Sequence, residues 1–274
     1  MNPGLSTLLG LWNWTSPMWL VALAAAILYG RATGWKWTLR TSWFAAALAV
    51  FLLAMVSPID RLAHGYLFSA HMVQHLMLLL IVPGLMLGAL SPAGVDAALA
   101  KYPRLGRFVG FFGSPLVGWF MGSGAMWLWH VPNFCVASQL NAGVGAFQTS
   151  SLLFMGTCFW WPVFSPSAAM RMGALPSTGY LFTGCVACTL LGVYLTFSPI
   201  SVCPSFLNSP DPLGIMPYIR QGWNLTPSAD QQVGGLVMWV PACFIYMSAI
   251  FANLIRWYSG PVPVMAEASS LGKE

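Results

Sequence analysis

The segment that decides the expected fold reads Ser69-Ala70-His71-Met72-Val73-Gln74-His75-Leu76 and continues as the apolar run Met77-Leu78-Leu79-Leu80-Ile81-Val82-Pro83-Gly84-Leu85-Met86-Leu87-Gly88-Ala89-Leu90. A run of this length crosses a bilayer as one helix, so the two histidines open a transmembrane segment. Ionisable side chains at membrane depth are costly and commonly functional. Because residues four apart share a helix face, the Cβ atoms of His71 and His75 are expected about 5–6 Å apart. That spacing suits two ligands of one metal ion or two donors to one buried partner.

The composition is that of an integral membrane protein. Of the 274 residues, 58% are hydrophobic and 6% are charged, and the mean hydropathy is +0.72, whereas about a quarter of the residues in a soluble domain are charged. The net charge of +5 is distributed over short loops, so it indicates topology in a lipid bilayer and no nucleic-acid partner. The sequence shows no nucleotide-binding loop, no nucleophile beside a base and no paired carboxylates in the predicted spans, which argues against an enzyme.

Apolar runs of about 20 residues predict an all-α, polytopic bundle of seven transmembrane helices, which form a single transmembrane domain over residues 1–274. The predicted spans are 17–30, 38–56, 67–89, 109–130, 144–163, 179–197 and 232–257. Pro83 is expected to bend the third span and to free a backbone carbonyl. Two glycine pairs spaced four apart, Gly84 with Gly88 and Gly118 with Gly122, permit close contact with other helices.

The basic residues orient this bundle by the positive-inside rule. Two of them, Arg61 and Arg220, fall on one side, and nine fall on the other. The nine are Arg31, Lys36, Arg40, Lys101, Arg104, Arg107, Arg171, Arg256 and Lys273. This bias predicts a periplasmic amino terminus and a cytoplasmic carboxy terminus. It also brings all four histidines near the outer leaflet, which predicts one polar site facing the periplasm.

The cluster of His71, Gln74 and His75 has two interpretations. In the first, neutral imidazoles bind a metal ion, with Met72 as a soft neighbour suited to copper(I). In the second, the same groups form a hydrogen-bonded cluster that holds helices together. His130 ends the fourth span next to Trp129, where a histidine either anchors the membrane interface or joins the site. A haem bound by His71 and His130 from opposite faces is a third hypothesis.

Asp230 opens the seventh span from the outer side. Ser228 is the expected N-cap of that helix, with Gln231 completing a capping box. Asp230 then either stabilises the positive end of the helix or orients a metal-binding histidine. Cys135 and Cys203 fall in outer links, where they either form a disulfide or include a thiol that binds copper. The cysteines within the spans are expected to pack against neighbouring helices.

Seven short segments carry a resemblance to one family. They are Ser57-Pro58-Ile59-Asp60, Ala70-His71-Met72-Val73-Gln74-His75, Trp129-His130-Val131-Pro132, Phe159-Trp160-Trp161-Pro162-Val163, Leu195-Thr196-Phe197-Ser198, Asp230-Gln231-Gln232 and Met238-Trp239-Val240-Pro241. In this order they resemble the CtaG-type cytochrome c oxidase assembly factors, the multi-span bacterial membrane proteins, over nearly the whole chain.

The resemblance implies a multi-pass protein of the bacterial inner membrane that helps to build a haem-copper terminal oxidase. Oxidase subunits are the implied partners and copper is the implied metal. Carried over position by position, the candidate metal ligands are His71, His75 and His130, with Asp230 and Gln74 beside them.

One departure from the family pattern supports an alternative function. Members of the family usually show a second histidine pair before the Trp-Trp-Pro segment, and this sequence has Gly145 and Thr149 there. The alternative hypothesis is a stable accessory subunit of a respiratory oxidase or supercomplex that has no metal of its own.

Overall fold

The computed structural model describes residues 10–207 and 210–259, and within these ranges it contains helices and no strand. In chain order its α-helices are α1 (Met18–Thr33), α2 (Leu39–Val56), α3 (Pro58–Ala63), α4 (Phe68–Leu76), α5 (Val82–Ala89), α6 (Pro92–Lys101), α7 (Pro103–Phe112), α8 (Pro115–Trp129), α9 (Pro132–Leu140), α10 (Ala142–Phe164), α11 (Ala174–Phe197) and α12 (Pro227–Tyr258). The all-α prediction is confirmed for this part of the chain. Lys273 and residues 1–9, which entered the orientation prediction, lie outside the described residues.

Four helical segments are long and apolar enough to cross a membrane. They are α2, the rod Phe68–Ala89 that α4 and α5 form together, α11 and α12. These segments coincide with the predicted second, third, sixth and seventh spans. α1 is apolar but has only 16 residues, and α10 has 23 residues but a lower hydropathy than the four. The full count of seven spans and the orientation of the termini therefore stay predictions.

The predicted fourth span is wrong as a single helix. The helix is interrupted at Gly113 and Ser114, so residues 109–112 belong to α7 and α8 begins at Pro115. Ser114 is extended, with ψ at 146°, because the ring of a following proline disfavours the helical conformation. α8 is therefore only 15 residues long, and it ends at His130 as the sequence predicts.

Two glycine pairs behave differently in the packed bundle. Gly118 and Gly122 of α8 lie directly against α10, and a Cβ on Gly118 would meet a backbone carbonyl of that helix. This is the close helix contact that the sequence predicts. Gly84 of α5 instead faces the indole of Trp160, whose nearest atom would be 3.8 Å from a Cβ at that position.

Pro83 interrupts the hydrogen bonding of the rod, as expected for a proline inside a span. It has no N–H for Leu79 O, four residues earlier, and the backbone widens into a π-helical turn, Met77–Ile81, that joins α4 to α5. Gly156 of α10 lies against the Leu79 carbonyl, where any Cβ would collide. The widened turn therefore begins two residues after His75 and brings α10 close to the histidine helix.

Candidate functional site

The histidine helix α4 begins against a carboxylate from α12. Asp230 accepts hydrogen bonds from Phe68 N–H at 2.7 Å, from Ser69 N–H at 3.1 Å and from the Ser69 hydroxyl at 2.6 Å. The first N–H groups of a helix have no partner within it, and a negative charge is favourable at that end. Asp230 therefore fixes where α4 starts. Its hydrogen bonds go to the helix start and not to a histidine, so it orients His71 and His75 through the backbone.

α12 begins differently from the sequence prediction. Its N-cap is Thr226, whose hydroxyl accepts a hydrogen bond at 3.2 Å from the first turn, and Pro227 takes the first helical position. The prediction that Ser228 caps this helix is wrong. Gln231 does not complete a capping box, because its carbonyl accepts from Val202 N–H at 2.9 Å and its amide N–H groups donate to carbonyls at the end of α11 and in the following link.

Three of the four histidines come together, as the sequence predicts. The ring centroids of His71 and His75 are 4.3 Å apart, and those of His75 and His130 are 5.4 Å apart. All three side chains are buried. His71 and His75 lie one turn apart on α4, and the end of α8 brings His130 to them. We refer to these three histidines and Met72 as the histidine cluster.

The imidazoles of α4 have unpaired ring nitrogens. Nε2 of His71 and Nε2 of His75 are both buried and have no hydrogen-bond partner. Nδ1 of His71 lies 3.3 Å from the amide nitrogen of Gln139 in α9. Buried polar atoms are almost always paired in folded proteins, so each exception requires a physical explanation.

His130 presents a second unusual contact. Its Nδ1 is hydrogen-bonded to Met126 O, and because a carbonyl can only accept, Nδ1 carries the proton. In a neutral imidazole the other nitrogen, Nε2, then has a free lone pair. That nitrogen lies 3.0 Å from the thioether sulfur of Met72, which also has no proton to donate. Two electron-pair donors therefore face each other in the buried cluster.

The cluster does not form a closed site from nitrogen and oxygen ligands alone. In the parts of the chain that the structure describes, no group of three or more His, Cys, Asp or Glu side chains is arranged to hold a metal ion. The donors that the geometry offers are the two unpaired imidazoles of α4 and the His130–Met72 pair. Any metal here would have to draw on the methionine sulfur or on small movements of the rings.

Gln74 is adjacent to His75 in sequence but faces another part of the bundle. Its amide donates to Ala54 O at 2.8 Å and to Asp60 Oδ1 at 3.2 Å. The fourth histidine, His64, contacts the same carboxylate oxygen, with Nδ1 3.3 Å from Asp60 Oδ1. Its pKa is raised above 6.5 by the hydrogen bond with Asp60. Gln74 and Asp60 thus connect α4 to α2 and α3 rather than contacting the histidine cluster.

A cavity of about 550 Å³ adjoins the cluster at the end of the bundle where α4 begins, and we call it the vestibule. Its walls include His64, Gln139 and prolines of the link after α11. Gln139 both lines the vestibule and contacts His71, so it separates the cavity from the buried imidazoles. A disulfide between Cys135 and Cys203 ties α9, which carries Gln139, to the same link. Of the two alternatives that the sequence leaves for these cysteines, a disulfide and a copper-binding thiol, the structure contains the disulfide.

Sequence reasoning missed Gln139 and Gln148. Gln148 of α10 lies beside His75, and its amide nitrogen is buried without a partner. Neither glutamine has a fixed sequence spacing to the histidines, because each comes from a different helix. The sequence signal in this region was that Gly145 stands where related proteins usually have a histidine. In the structure a Cβ on Gly145 would lie 3.0 Å from Ser138 O, because α9 packs closely there.

The comparison with protein families matches this chain over most of its length. The model described as cytochrome c oxidase caa3 assembly factor (Caa3_CtaG) matches residues 19–260. That range contains the four candidate spans, the histidine cluster and the vestibule. Comparisons with curated proteins and with solved structures find no match.

Proposed function

The chain belongs to the cytochrome c oxidase caa3 assembly factor family, and from this premise we propose that it holds copper(I) as cargo for a haem-copper oxidase at the histidine cluster. Family membership indicates an assembly factor, suggests a non-catalytic role and implies interaction with oxidase components. Copper and its site are our proposal, and they are argued from the contacts of His71, His75, His130 and Met72.

The observation that carries the proposal is the pair of buried, unpaired nitrogens on His71 and His75. Leaving a buried polar atom without a partner costs about 1–3 kcal/mol, and a bound cation would offset that loss. Two imidazoles and a thioether are all uncharged ligands, and this donor set suits copper(I). Uncharged ligands leave the charge of a buried ion uncompensated, which costs less for the single charge of copper(I) than for a divalent ion.

His130 supports the same assignment through its second nitrogen. Histidines that bind metals generally donate their other ring N–H to a carbonyl or carboxylate, which fixes the tautomer. The bond from His130 Nδ1 to Met126 O has this form. It directs the unprotonated Nε2 toward the Met72 sulfur, where a cation would turn an unfavourable contact between two donors into shared ligation.

Gln139 gives the site a way to change between states. When its amide N–H faces His71 Nδ1, as in the structure, Nδ1 accepts and the proton of a neutral ring is on Nε2. A half-turn of the amide presents the carbonyl instead, so Nδ1 donates and Nε2 becomes free to bind a metal. Because Gln139 also lines the vestibule, copper would reach the cluster past this side chain.

The test is a copper(I) titration of the purified full-length chain in detergent, in competition with a colorimetric copper(I) chelator. His71→Ala and His75→Ala should each weaken copper(I) binding by at least about tenfold, since losing even an orienting partner of a ligand costs about 10- to 100-fold. His64→Ala is the matched control, because that histidine is half-exposed and outside the cluster. Equal affinity in wild type and His75→Ala would contradict the proposal.

One observation favours a second function, that of a stable accessory subunit without a metal. It is the lack of a three-ligand group of His, Cys, Asp or Glu among residues 10–207 and 210–259. An accessory subunit would co-purify with the mature oxidase at fixed stoichiometry in mild detergent. Recovery of the chain only with immature oxidase would instead support the assembly factor.

A further inference from the structure

A groove of about 720 Å³ lies at the end of the bundle opposite the histidine cluster. The start of α12 meets the histidine helix through Asp230, whereas Arg256 at the mouth of the groove belongs to the last turn of α12. Side chains of α2, the rod, α10 and α12 line the groove, and they are almost all apolar. Phe244, one of its walls, is 69% exposed, so the groove opens on the apolar flank of the bundle.

Gly84 and Gly88 line the groove, and the atoms nearest to a Cβ on either belong to tryptophan side chains and not to the backbone of another helix. A Cβ on Gly84 would find its nearest neighbours in the Trp160 indole, at 3.8–4.0 Å, and a Cβ on Gly88 would find Trp43 at 3.4 Å. Glycines spaced in this way usually let another chain approach closely. Here they leave a smooth apolar channel, which suits a flexible hydrocarbon chain.

Trp160 adds an unpaired donor at this floor. Its side chain is 2% exposed, and its indole N–H has no hydrogen-bond partner. The same nitrogen is the heavy atom nearest to a Cβ built on Gly84, at 3.8 Å. An indole N–H can only donate, and a buried donor without an acceptor is unfavourable. The Trp160 N–H therefore has no hydrogen-bond acceptor from the described protein at this depth of the groove.

Arg256 lines the groove and Arg171 lies near it, and in the part of the chain that the structure describes neither meets a carboxylate. Arg256 donates to Asn253 Oδ1 at 2.7 Å and lies 3.5 Å from Val163 O, and it is close enough to Arg171 for their charges to repel. Val163 follows Trp160 by three residues on α10, so the backbone position that Arg256 contacts and the one that carries the unpaired donor are about 4.5 Å apart along the helix axis.

We propose that this groove binds one anionic phospholipid. The phosphate lies between Arg256 and Arg171, an ester carbonyl accepts from the Trp160 N–H, and an acyl chain continues from Gly84 past Ile81 and Leu80. The order of cation, donor and apolar channel matches the order of phosphate, ester and hydrocarbon in a phospholipid. Basic pockets between membrane helices bind anionic head groups in this way. The inference is independent of copper, because the groove and the histidine cluster share no residue.

The head-group test uses the full-length chain in mild detergent and native mass spectrometry with added phosphatidylglycerol or phosphatidylcholine at equal concentration. One phosphatidylglycerol should remain bound per chain, and phosphatidylcholine should be retained at least tenfold less. The double change Arg171→Gln with Arg256→Gln should lower phosphatidylglycerol retention at least tenfold. Arg107→Gln, a basic residue outside the groove, is the matched control and should change nothing. Equal retention of the two lipids would overturn the proposal.

The channel test fills the groove without touching the arginines. Gly84→Leu has room for its Cβ, and its side chain should displace the acyl chain and lower phosphatidylglycerol retention at least tenfold. Gly179→Leu is the matched control, since Gly179 also lies on a predicted span and has nothing within 4 Å of a Cβ. Thermal unfolding without lipid checks that each variant folds. Undiminished lipid binding by a folded Gly84→Leu variant, or cross-linking of an oxidase helix to this position, would overturn the proposal. Copper(I) affinity should be unchanged in these variants, so this test and that of the histidine cluster fail separately.

Discussion

Two buried polar clusters lie at the same end of the bundle, and they differ in how fully they are hydrogen-bonded. Asp230 and Gln231 of α12 are both buried and each makes three or more hydrogen bonds. His71 and His75 of α4 are buried as deeply, yet each has a ring nitrogen without a partner. Burying any polar group is unfavourable unless it is paired. The first cluster is therefore fully hydrogen-bonded as folded, whereas the second leaves two buried ring nitrogens unpaired.

Asp230→Ala should have the largest effect on stability, because it removes the acceptor of the fully hydrogen-bonded cluster. Phe68 N–H, Ser69 N–H and the Ser69 hydroxyl would lose a charged partner at once. The expected loss in the free energy of unfolding is about 3–5 kcal/mol, measured by denaturation in detergent. Asp96→Ala, an exposed aspartate on α6, is the control. A loss no greater than that of the control would show that the cap does not stabilise α4.

Removing the disulfide should have the next largest effect. Cys135 and Cys203 are separated by 68 residues, and a cross-link closing a loop of that size contributes about 2–4 kcal/mol. The double change to serine should also weaken copper(I) binding several-fold, because α9 carries Gln139 to His71. Unfolding with and without reductant measures the effect. The double change Cys185→Ser with Cys243→Ser is the control, since both thiols are free, and that variant should remain sensitive to reductant.

Parallel leucine substitutions in the two clusters give the sharpest comparison. Gln231→Leu leaves Val202 N–H without its acceptor and should cost about 1–3 kcal/mol in the free energy of unfolding. His75→Leu removes an unpaired nitrogen and should be neutral or stabilising by up to about 1 kcal/mol, at the expense of copper(I) binding. Unfolding and copper titration on the same samples measure both quantities. Equal destabilisation by the two changes would mean that His75 is structurally paired, and the contrast between the clusters would disappear.

The features of the structure that the sequence predicts are those set by the helix period or by the bias of hydropathy and charge along the chain. The helix period gives the His71–His75 contact, and hydropathy together with charge bias brings His130 to the same end. The break at Ser114-Pro115 was missed because the apolar run from 109 to 130 outweighed the proline, which disfavours helix at the residue before it. The tertiary neighbours could not be predicted, because no spacing rule connects Gln139 or Gln148 to a histidine on another helix. For the same reason the burial of an unpaired nitrogen becomes visible only once all the helices are packed.

The smallest expected effect concerns His64, a histidine with the partner that His71 and His75 lack. Its hydrogen bond with Asp60 raises its pKa above 6.5, against weaker opposition from burial and from Arg61, so the folded state binds the proton more tightly than the unfolded state. The resulting stabilisation is fully present below pH 6.5 and is lost as the pH rises through the raised pKa of the folded state. Because the His64 side chain is 51% exposed, screening limits the effect to less than about 1 kcal/mol. The stability difference between wild type and His64→Gln, measured by thermal unfolding from about pH 5.5 to pH 8, should therefore decline slightly as the pH rises, because the buried histidines are common to both proteins and cancel in that difference. A difference that stays constant over this range would show that His64 gains nothing from Asp60 on folding and would remove the distinction between this histidine and the buried pair.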